Sequence, residues 1–456
     1  MSLHSINPYT ELEIASFEED SSRLVEQKLE AAAVAFQSWR HSTFAERRSL
    51  MLQMAQHIRH NRDRMAVVLT QEMGKPILQS RGEVDRFADR CDYFATSSEE
   101  LLAPERVELA GAEGWIRYEP LGVALGVMPW NFPFGQASRW AIPAVMAGNT
   151  ALLKHASNVT LSALLMEEAF KAVGFPPGVF SCLLLSHQSL DPILSDRRIA
   201  AVSLTGSVAA GESIGAMAGR GLKKLVLELG GSDPFIVLSD ANVEAAAKVA
   251  VRGRFLNNSG QACTASKRFI VCADVAAHFT ECFIEATRKL LLGDPMADST
   301  QIGPLAKQSA VGDLERCRDA TVAAGGRVAY TADAPTGTGF FFPPTVLVGV
   351  RPDMPAATEE TFGPLAAIIE VTTEQEAIRV ANESDFGLGA SLWTGDAEKG
   401  AALVAEIDAG MVAVNSLLLG DSRLPFGGVK RSGFGRELSA HGLRELTNIK
   451  SVNIRL

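Results

Sequence analysis

The sequence predicts an α/β protein built on buried parallel sheets with helices on both faces. From residue 121 short apolar runs alternate with helical stretches, the pattern of βαβ units. A second series of the same kind starts near residue 268 and ends near 415. Ahead of both lies a long segment of almost continuous helical periodicity.

Taken in order, a polar lead-in containing Asn7-Pro8 is followed by a helix from Ser22 to about Trp39. Leu24, Val25, Leu29, Ala32, Ala33 and Phe36 recur there at helical spacing. Amphipathic helices are predicted over 45–61 and 63–73. Gly74-Lys75-Pro76 breaks the pattern before a helix over Ile77–Leu101. Residues 106–120 read as a β-hairpin turning at Gly111-Ala112-Glu113-Gly114 and amphipathic enough to pair with another subunit. Buried strands are predicted at Val123–Met128, 150–154, 179–185, 199–204 and 223–228, with helices at 135–146, 159–173, 188–194 and 208–218. Beyond a natural boundary at Gly230-Gly231 come strands at 268–271, 366–371, 390–393 and 411–415. Helices at 275–292, 310–324, Glu374–Asn382 and 397–407 accompany them. The tail, 449–456, alternates as an exposed or intermolecular strand would.

A chain of 456 residues holds two or three domains, and 47% hydrophobic with 21% charged residues suits a globular one. The net charge of −10 argues against nucleic acid or an acidic membrane surface as partner. Six cysteines without a C-x-x-C pair or zinc spacing imply reduced thiols and no metal. Residues 1–20 lack an apolar leader and no later run reaches membrane length, so the expected place is the cytoplasm.

Chemistry concentrates in Asn257-Asn258-Ser259-Gly260-Gln261-Ala262-Cys263-Thr264-Ala265. It reads as a solvated turn of small and amide residues in which the Cys263 thiol can be approached and can ionise. Val226-Leu227-Glu228-Leu229-Gly230-Gly231 ends an apolar strand in one carboxylate, and Pro129-Trp130-Asn131-Phe132-Pro133 holds an amide between two prolines. Thiol, carboxylate and fixed amide are the parts of covalent acyl chemistry. Read singly, each has a plainer meaning: a small hydrophobe, a solvated strand-end acid, a turn cap. No G-x-G-x-x-G fingerprint follows any strand. Thr205-Gly206-Ser207 opens a helix instead and offers either an anion site or a simple cap.

Together these motifs resemble the aldehyde dehydrogenase superfamily along essentially the whole chain, most closely its bacterial succinate-semialdehyde dehydrogenases. Leu152-Leu153-Lys154, Glu359-Glu360-Thr361-Phe362-Gly363-Pro364 and Pro425-Phe426-Gly427-Gly428-Val429-Lys430-Arg431-Ser432-Gly433 complete the match. The resemblance implies a Rossmann-type NAD(P)-binding domain (1–103 and 120–229) and an α/β catalytic domain (230–430). A small β oligomerisation element (104–119 and 431–456) completes a homodimer or homotetramer. It implies that Cys263 attacks an aldehyde, that the Asn131 amide and Cys263 N–H hold the oxyanion, and that Glu228 activates the water that hydrolyses the thioester. That glutamate separates hydrolytic oxidation from acyl transfer to coenzyme A or phosphate. Trp130, Lys154, Ser157, Gly206, Ser207, Leu229, Glu360 and Phe362 would line the cofactor cleft. Ser157 stands where NAD-preferring relatives often carry a ribose-binding glutamate, so NADP is expected to be preferred over NAD. Arg139 would bind the distal carboxylate of a short semialdehyde, succinate semialdehyde first. A second tunnel arginine of that type falls on Asn257, for which Arg423 is the candidate substitute; a redox-partner cysteine falls on Ala265. The alternatives are a broad aliphatic or betaine-type aldehyde dehydrogenase and a catalytically silent structural relative.

Overall fold

The computed structural model describes residues 2–418 and 420–455. Met1 and Leu456, the extreme residues of the predicted terminal segments, lie outside the described residues, as does Leu419.

The first sheet runs in the order Gly433–Phe434, Lys224–Glu228, Ile199–Thr205, Val123–Met128, Thr150–His155, Phe180–Cys182. All neighbours are parallel except the short Gly433–Phe434, which pairs antiparallel with Leu227 and Glu228. Every residue of Val123–Met128 is buried, which is why its sequence shows an apolar run and no alternation. Leu29 and Ala32 of the helix Ser22–Trp39 pack on one face with Val123, Leu125 and Leu152. The helix Pro133–Met146 covers the other face with Trp140 and Val145.

The second sheet has seven strands, in the order Arg327–Thr331, Thr345–Val348, Leu365–Val371, Arg268–Cys272, Pro234–Val237, Gly389–Trp393, Met411–Val414. Only Arg327–Thr331 is antiparallel. The two sheets meet where Glu228 ends one strand and Pro234 begins the next, so Gly230-Gly231 is the crossing point.

The predicted hairpin forms as Glu105–Leu109 and Ala112–Pro120, and the tail strand Thr447–Ile454 pairs with it inside the same chain. Residues 433–434 return to the first sheet, so 431–456 is not wholly an outlying element.

Several elements differ from expectation. The polar lead-in is a hairpin, Ser2–Ile6 with Glu13–Glu18, whose buried side chains are Leu3 and the polar Ser5. Of its two apolar residues only Leu3 faces inward, and the other inward position is a serine, so there was no alternation to read. Strands Pro234–Val237, Arg327–Thr331 and Thr345–Val348 were not anticipated. The predicted helices over 275–292 and 397–407 stop at Thr287 and Leu403, and the predicted strand over 179–185 shrinks to Phe180–Cys182.

One buried acid ties the hairpin to the first sheet's helices. Glu72 accepts Ser5 Oγ at 2.7 Å and the Leu161 and Ser162 N–H groups, each at 2.8 Å. It thereby satisfies donors of the first turn of Thr160–Ala172, directly after Ser157. Gly433 has φ +109°, and a Cβ there would overlap Leu227 O across the antiparallel pair. Gly433→Ala is therefore expected to destabilise the chain by about 2–4 kcal/mol, through left-handed strain and backbone clash. Chemical denaturation measures it; a change within about 0.5 kcal/mol, the usual scatter of neutral surface substitutions, would show that the return strand is not held there.

Candidate active site

The nucleophile loop follows the helix Val243–Phe255 and precedes the strand Arg268–Cys272. Asn258, Ser259 and Gly260 all adopt left-handed backbone, with φ of 56°, 53° and 77°. Two non-glycine residues in that region are costly, so the surroundings must hold them. Asn258 Nδ2 donates to Asn131 O at 2.9 Å, and Ser259 Oγ meets Gly303 O at 3.1 Å. Gln261 Oε1 accepts the Ala306 N–H at 2.9 Å. Asn258 to Ala262 are buried, while Cys263 and Thr264 reach the cavity. The expected solvated turn is thus corrected to a buried, tightly bonded loop with only its last residues accessible. Burial pushes the Cys263 thiol up to about 11, while Arg139 and Lys267 pull it down.

Asn131 sits at the entry to the helix Pro133–Met146 and is 4% exposed. Its Nδ2 donates to Gln261 O at 3.1 Å, two residues before the thiol. Its carbonyl accepts Lys75 Nζ at 3.0 Å. Lys75 forms a fully buried ion pair with Glu83, lies 3.8 Å over the Phe132 ring, and is lowered to about 8 by burial. Glu83 also accepts the Gly135 N–H at 2.9 Å. Sequence reading took Lys75 as part of a helix break; nothing local marks it as the clamp on Asn131.

Glu228 is 2% exposed, and neither carboxylate oxygen has a hydrogen-bond partner among the described residues. Gly427 lies against it: a Cβ at that residue would fall within 2.5 Å of Glu228 Oε1. Burial raises the Glu228 pKa well above the carboxylate range, and the charge of Glu437 raises it further, against Arg139 and Arg436. Glu437, 3% exposed, was not singled out from sequence. Arg139 Nε lies 2.7 Å from Glu437 Oε2, an ion pair whose angle falls short of a hydrogen bond. Arg139 also bonds Gln136 and stacks 3.9 Å over Phe426.

Cys263 opens on a cavity of about 530 Å³ lined by Phe132, Gln136, Arg139, Asn257, Thr264 and Phe426. Arg86, Arg90 and Arg252 line it too, and none was anticipated. Arg90 is buried, donates to Gly135 O and Ser138, and is lowered to about 9 by burial; Arg86 and Arg252 are exposed at its mouth. The structure places the two candidate substrate arginines differently. Arg139 does reach the cavity, but its charge is already matched by Glu437. Arg423 stands in solvent, 2.6 Å from Asp421, outside this lining, because a two-residue turn brings that carboxylate to it first.

On the first sheet's side, Trp130 and Phe362 meet edge to face with centroids 5.6 Å apart, and Lys307 lies 5.9 Å over Trp130. Lys154 is buried at the end of its strand with no hydrogen-bond or ion-pair partner among the described residues, and Ser157 nearby is exposed. Ser207 caps Val208–Arg220 by accepting the Ala210 N–H at 3.3 Å, and the Gly206 N–H is used by Glu228 O at 3.0 Å. Glu360 accepts the Gly231 N–H at 3.0 Å. Leu229 packs against Gly211.

A thiol between a nucleotide-type parallel sheet and a second α/β lobe, with a buried, unpartnered carboxylate ending a strand of the first sheet, describes an oxidoreductase working through a covalent acyl intermediate. The chain belongs to the aldehyde dehydrogenase family, whose sequence profile matches residues 1–452. It is 45% identical over 452 residues to a probable succinate-semialdehyde dehydrogenase [NADP(+)] of Synechocystis sp., covering 99% of each chain. It is 43% identical over 448 residues to a succinate semialdehyde dehydrogenase [NAD(P)+] of Escherichia coli, covering 98% of this chain and 97% of that one. The structure of a succinic semialdehyde dehydrogenase from Streptococcus pyogenes with NADP+ superposes with a TM-score of 0.97, at 36% identity and full coverage of both chains. No helix of the described residues is long and apolar enough to cross a membrane.

The neighbourhood of Glu228 sets a pH dependence. A base held neutral by a raised pKa works only as pH climbs through that pKa. Removing the Glu437 charge lets Glu228 ionise at lower pH. Glu437→Gln should therefore move the acid limb of thioester hydrolysis to lower pH, measured as product release after the first turnover. An unmoved limb would show that Glu437 does not act on Glu228.

Proposed function

We propose that this enzyme oxidises a short semialdehyde, succinate semialdehyde first, to the free acid, with NADP preferred over NAD. The observation that carries the substrate reading is the cavity, where Arg86, Arg90, Arg139 and Arg252 accompany Cys263 and the only carboxylate among the described lining residues, Glu83, is already paired with Lys75. The names of the Synechocystis, Escherichia and Streptococcus relatives support it. We place the cofactor domain over 1–103 and 120–229 and the catalytic domain over 230–430. The three-stranded sheet is assigned to a homodimer or homotetramer contact, and the cytoplasm is the proposed location.

The residues present fit a dinucleotide with a 2′-phosphate. Lys154 offers a buried ammonium without a partner, and Ser157 adds a hydroxyl where a carboxylate would repel the phosphate. Gly206, Ser207 and Leu229 would form the shelf, with Trp130, Glu360 and Phe362 at the nicotinamide end. NADP, when bound, accepts the hydride. The chain's own residues do the rest. Cys263 Sγ bonds to the aldehyde carbon, and the carbonyl electron pair moves to oxygen. Asn131 Nδ2 and the Cys263 N–H then donate to that oxyanion. Asn131 Nδ2 spends one hydrogen on Gln261 O and keeps a second for this duty. After hydride departure Glu228 takes a proton from water, which attacks the thioester and releases the acid and the Cys263 thiolate.

Two measurements test this reading. Across an aldehyde panel run with both cofactors, kcat/KM for succinate semialdehyde should exceed that for butanal by about a hundredfold, as expected where an ionic group is recognised. Equal values would sink the acid-ended substrate and favour a broad aliphatic enzyme; no reduced cofactor above a Cys263→Ala control would favour a silent relative. Glu228→Gln should retain a first-turnover burst of reduced cofactor and stall at hydrolysis. Steady turnover at the parent rate in that variant would remove Glu228 from water activation.

A further inference from the structure

Lys267 is 0% exposed, one residue before the strand Arg268–Cys272. Its ammonium spends its donors on one loop: Cys263 O at 2.8 Å, Ala265 O at 3.1 Å and Ala262 O at 3.2 Å. Its own N–H is tied to Asp233 O at 3.0 Å, so the backbone beneath the cation is fixed. Asp233, Glu360 and Arg254 are the charged groups that face it, and none supplies a hydrogen bond to it. An ammonium buried in this way is expensive to place, and an apolar side chain of similar volume would fill the space without that cost. All of its hydrogen bonding is directed at the backbone of the nucleophile.

One of the three carbonyls matters most. Ala262 O belongs to the same peptide unit as the Cys263 N–H. That N–H donates to no acceptor among the described residues, and Cys263 itself lines the cavity. A cation on the oxygen of an amide draws electron density away from its nitrogen and strengthens the N–H as a donor, as hydrogen bonds in series polarise one another. We propose that Lys267 is a positioning residue that acts through the Ala262–Cys263 peptide, fixing that amide and strengthening its N–H as the backbone half of the oxyanion hole. The inference rests on the reading above that Cys263 is the nucleophile and its N–H an oxyanion donor. Asn131, the other half, is clamped independently through Lys75, so the two donors are held by separate buried cations.

The test compares Lys267→Met and Lys267→Gln with the full-length parent enzyme, the glutamine keeping one hydrogen-bond donor without the charge. Single-turnover hydride transfer from succinate semialdehyde to saturating NADP reads the step in which the oxyanion forms. Alkylation of Cys263 by iodoacetamide, followed to its alkaline plateau, reads thiolate reactivity with no oxyanion involved. The expected result is that both variants lose about ten- to a hundredfold in the first-turnover rate, less than the ~10²–10³ of deleting a donor outright. Their alkylation plateaus should stay within about twofold of the parent, with the midpoint moved to higher pH because a cation near the thiol is gone. An unchanged burst overturns the proposal. So does an equal loss in burst and plateau, which marks general damage to the loop, and so does parental behaviour in the glutamine variant, which makes the charge irrelevant. Failure of both variants to fold also overturns it, since the cation would then serve the loop's structure. A parent enzyme inactive toward the whole aldehyde panel would instead remove the functional reading on which the inference stands.

Discussion

The carbonyl of Asn131 is where the two lobes are fastened together. It accepts Lys75 Nζ from the N-terminal helical region and Asn258 Nδ2 from the nucleophile loop, at 3.0 and 2.9 Å. A third bond, Asn131 Nδ2 to Gln261 O, crosses the same gap. Together with the Ser259–Gly303 bonds and the Asn258 N–H to Gln79 Oε1, these contacts keep Asn258 and Ser259 in left-handed backbone, a region that disfavours residues carrying a Cβ. The strain in the loop and the placement of the amide are therefore one arrangement. The Lys75–Glu83 pair, sealed from solvent, supplies its rigidity: breaking either partner would leave an uncompensated buried charge.

Charge withheld from water governs the second half of the site as well. Glu228 and Glu437 share a dry space in which Arg139 pairs with Glu437, while Arg436 also acts on Glu228 and Arg90 on Glu437. Burial and mutual repulsion drive the acids toward the neutral form, while Arg139 opposes both effects. Neither acid receives a hydrogen bond among the described residues, but Glu437 is ion-paired with Arg139 and Glu228 is not, so Glu228 is the member left free to take up a proton. The close approach at Gly427 closes this space against the return strand, whose Gly433 pairs with Glu228 itself.

Much of this was legible in the sequence where a residue's chemistry is carried by its immediate neighbours. The apolar run Val123–Met128 declared a strand buried on both faces, and the helix Ile77–Leu101 was bounded by its Gly-Lys-Pro break. Asn131, Glu228 and Cys263 stood out because prolines, glycines and small residues surround them. What could not be read were partnerships between distant segments. Glu437 lies more than two hundred residues from Glu228, and Lys75 is distant from Asn131, yet each sets the state of its partner. Arg423 shows the opposite error: its position near a motif suggested a substrate contact, but Asp421 two residues away captures it. The hairpin Ser2–Ile6 was invisible because its buried residues include a serine that bonds Glu72.

The occupation of Arg139 changes where recognition of an acid-ended aldehyde must occur. A guanidinium already beside Glu437, bonded to Gln136 and stacked on Phe426 has its plane fixed and its charge engaged inside the cavity. Moving it to a substrate carboxylate would leave two buried acids without their cation, a penalty that a partly solvated carboxylate would not offset. Arg90 is likewise committed, to Gly135 and Ser138. Arg86 and Arg252 carry no such engagement: both are exposed at the mouth, and they come from two helices on opposite lobes, Ile77–Leu101 and Val243–Phe255. On the proposed reading the division of labour follows from desolvation. There the inner arginines would tune the field around thiol and carboxylate, and the outer pair would meet the distal acid at the cavity mouth, where its charge is only partly stripped of water.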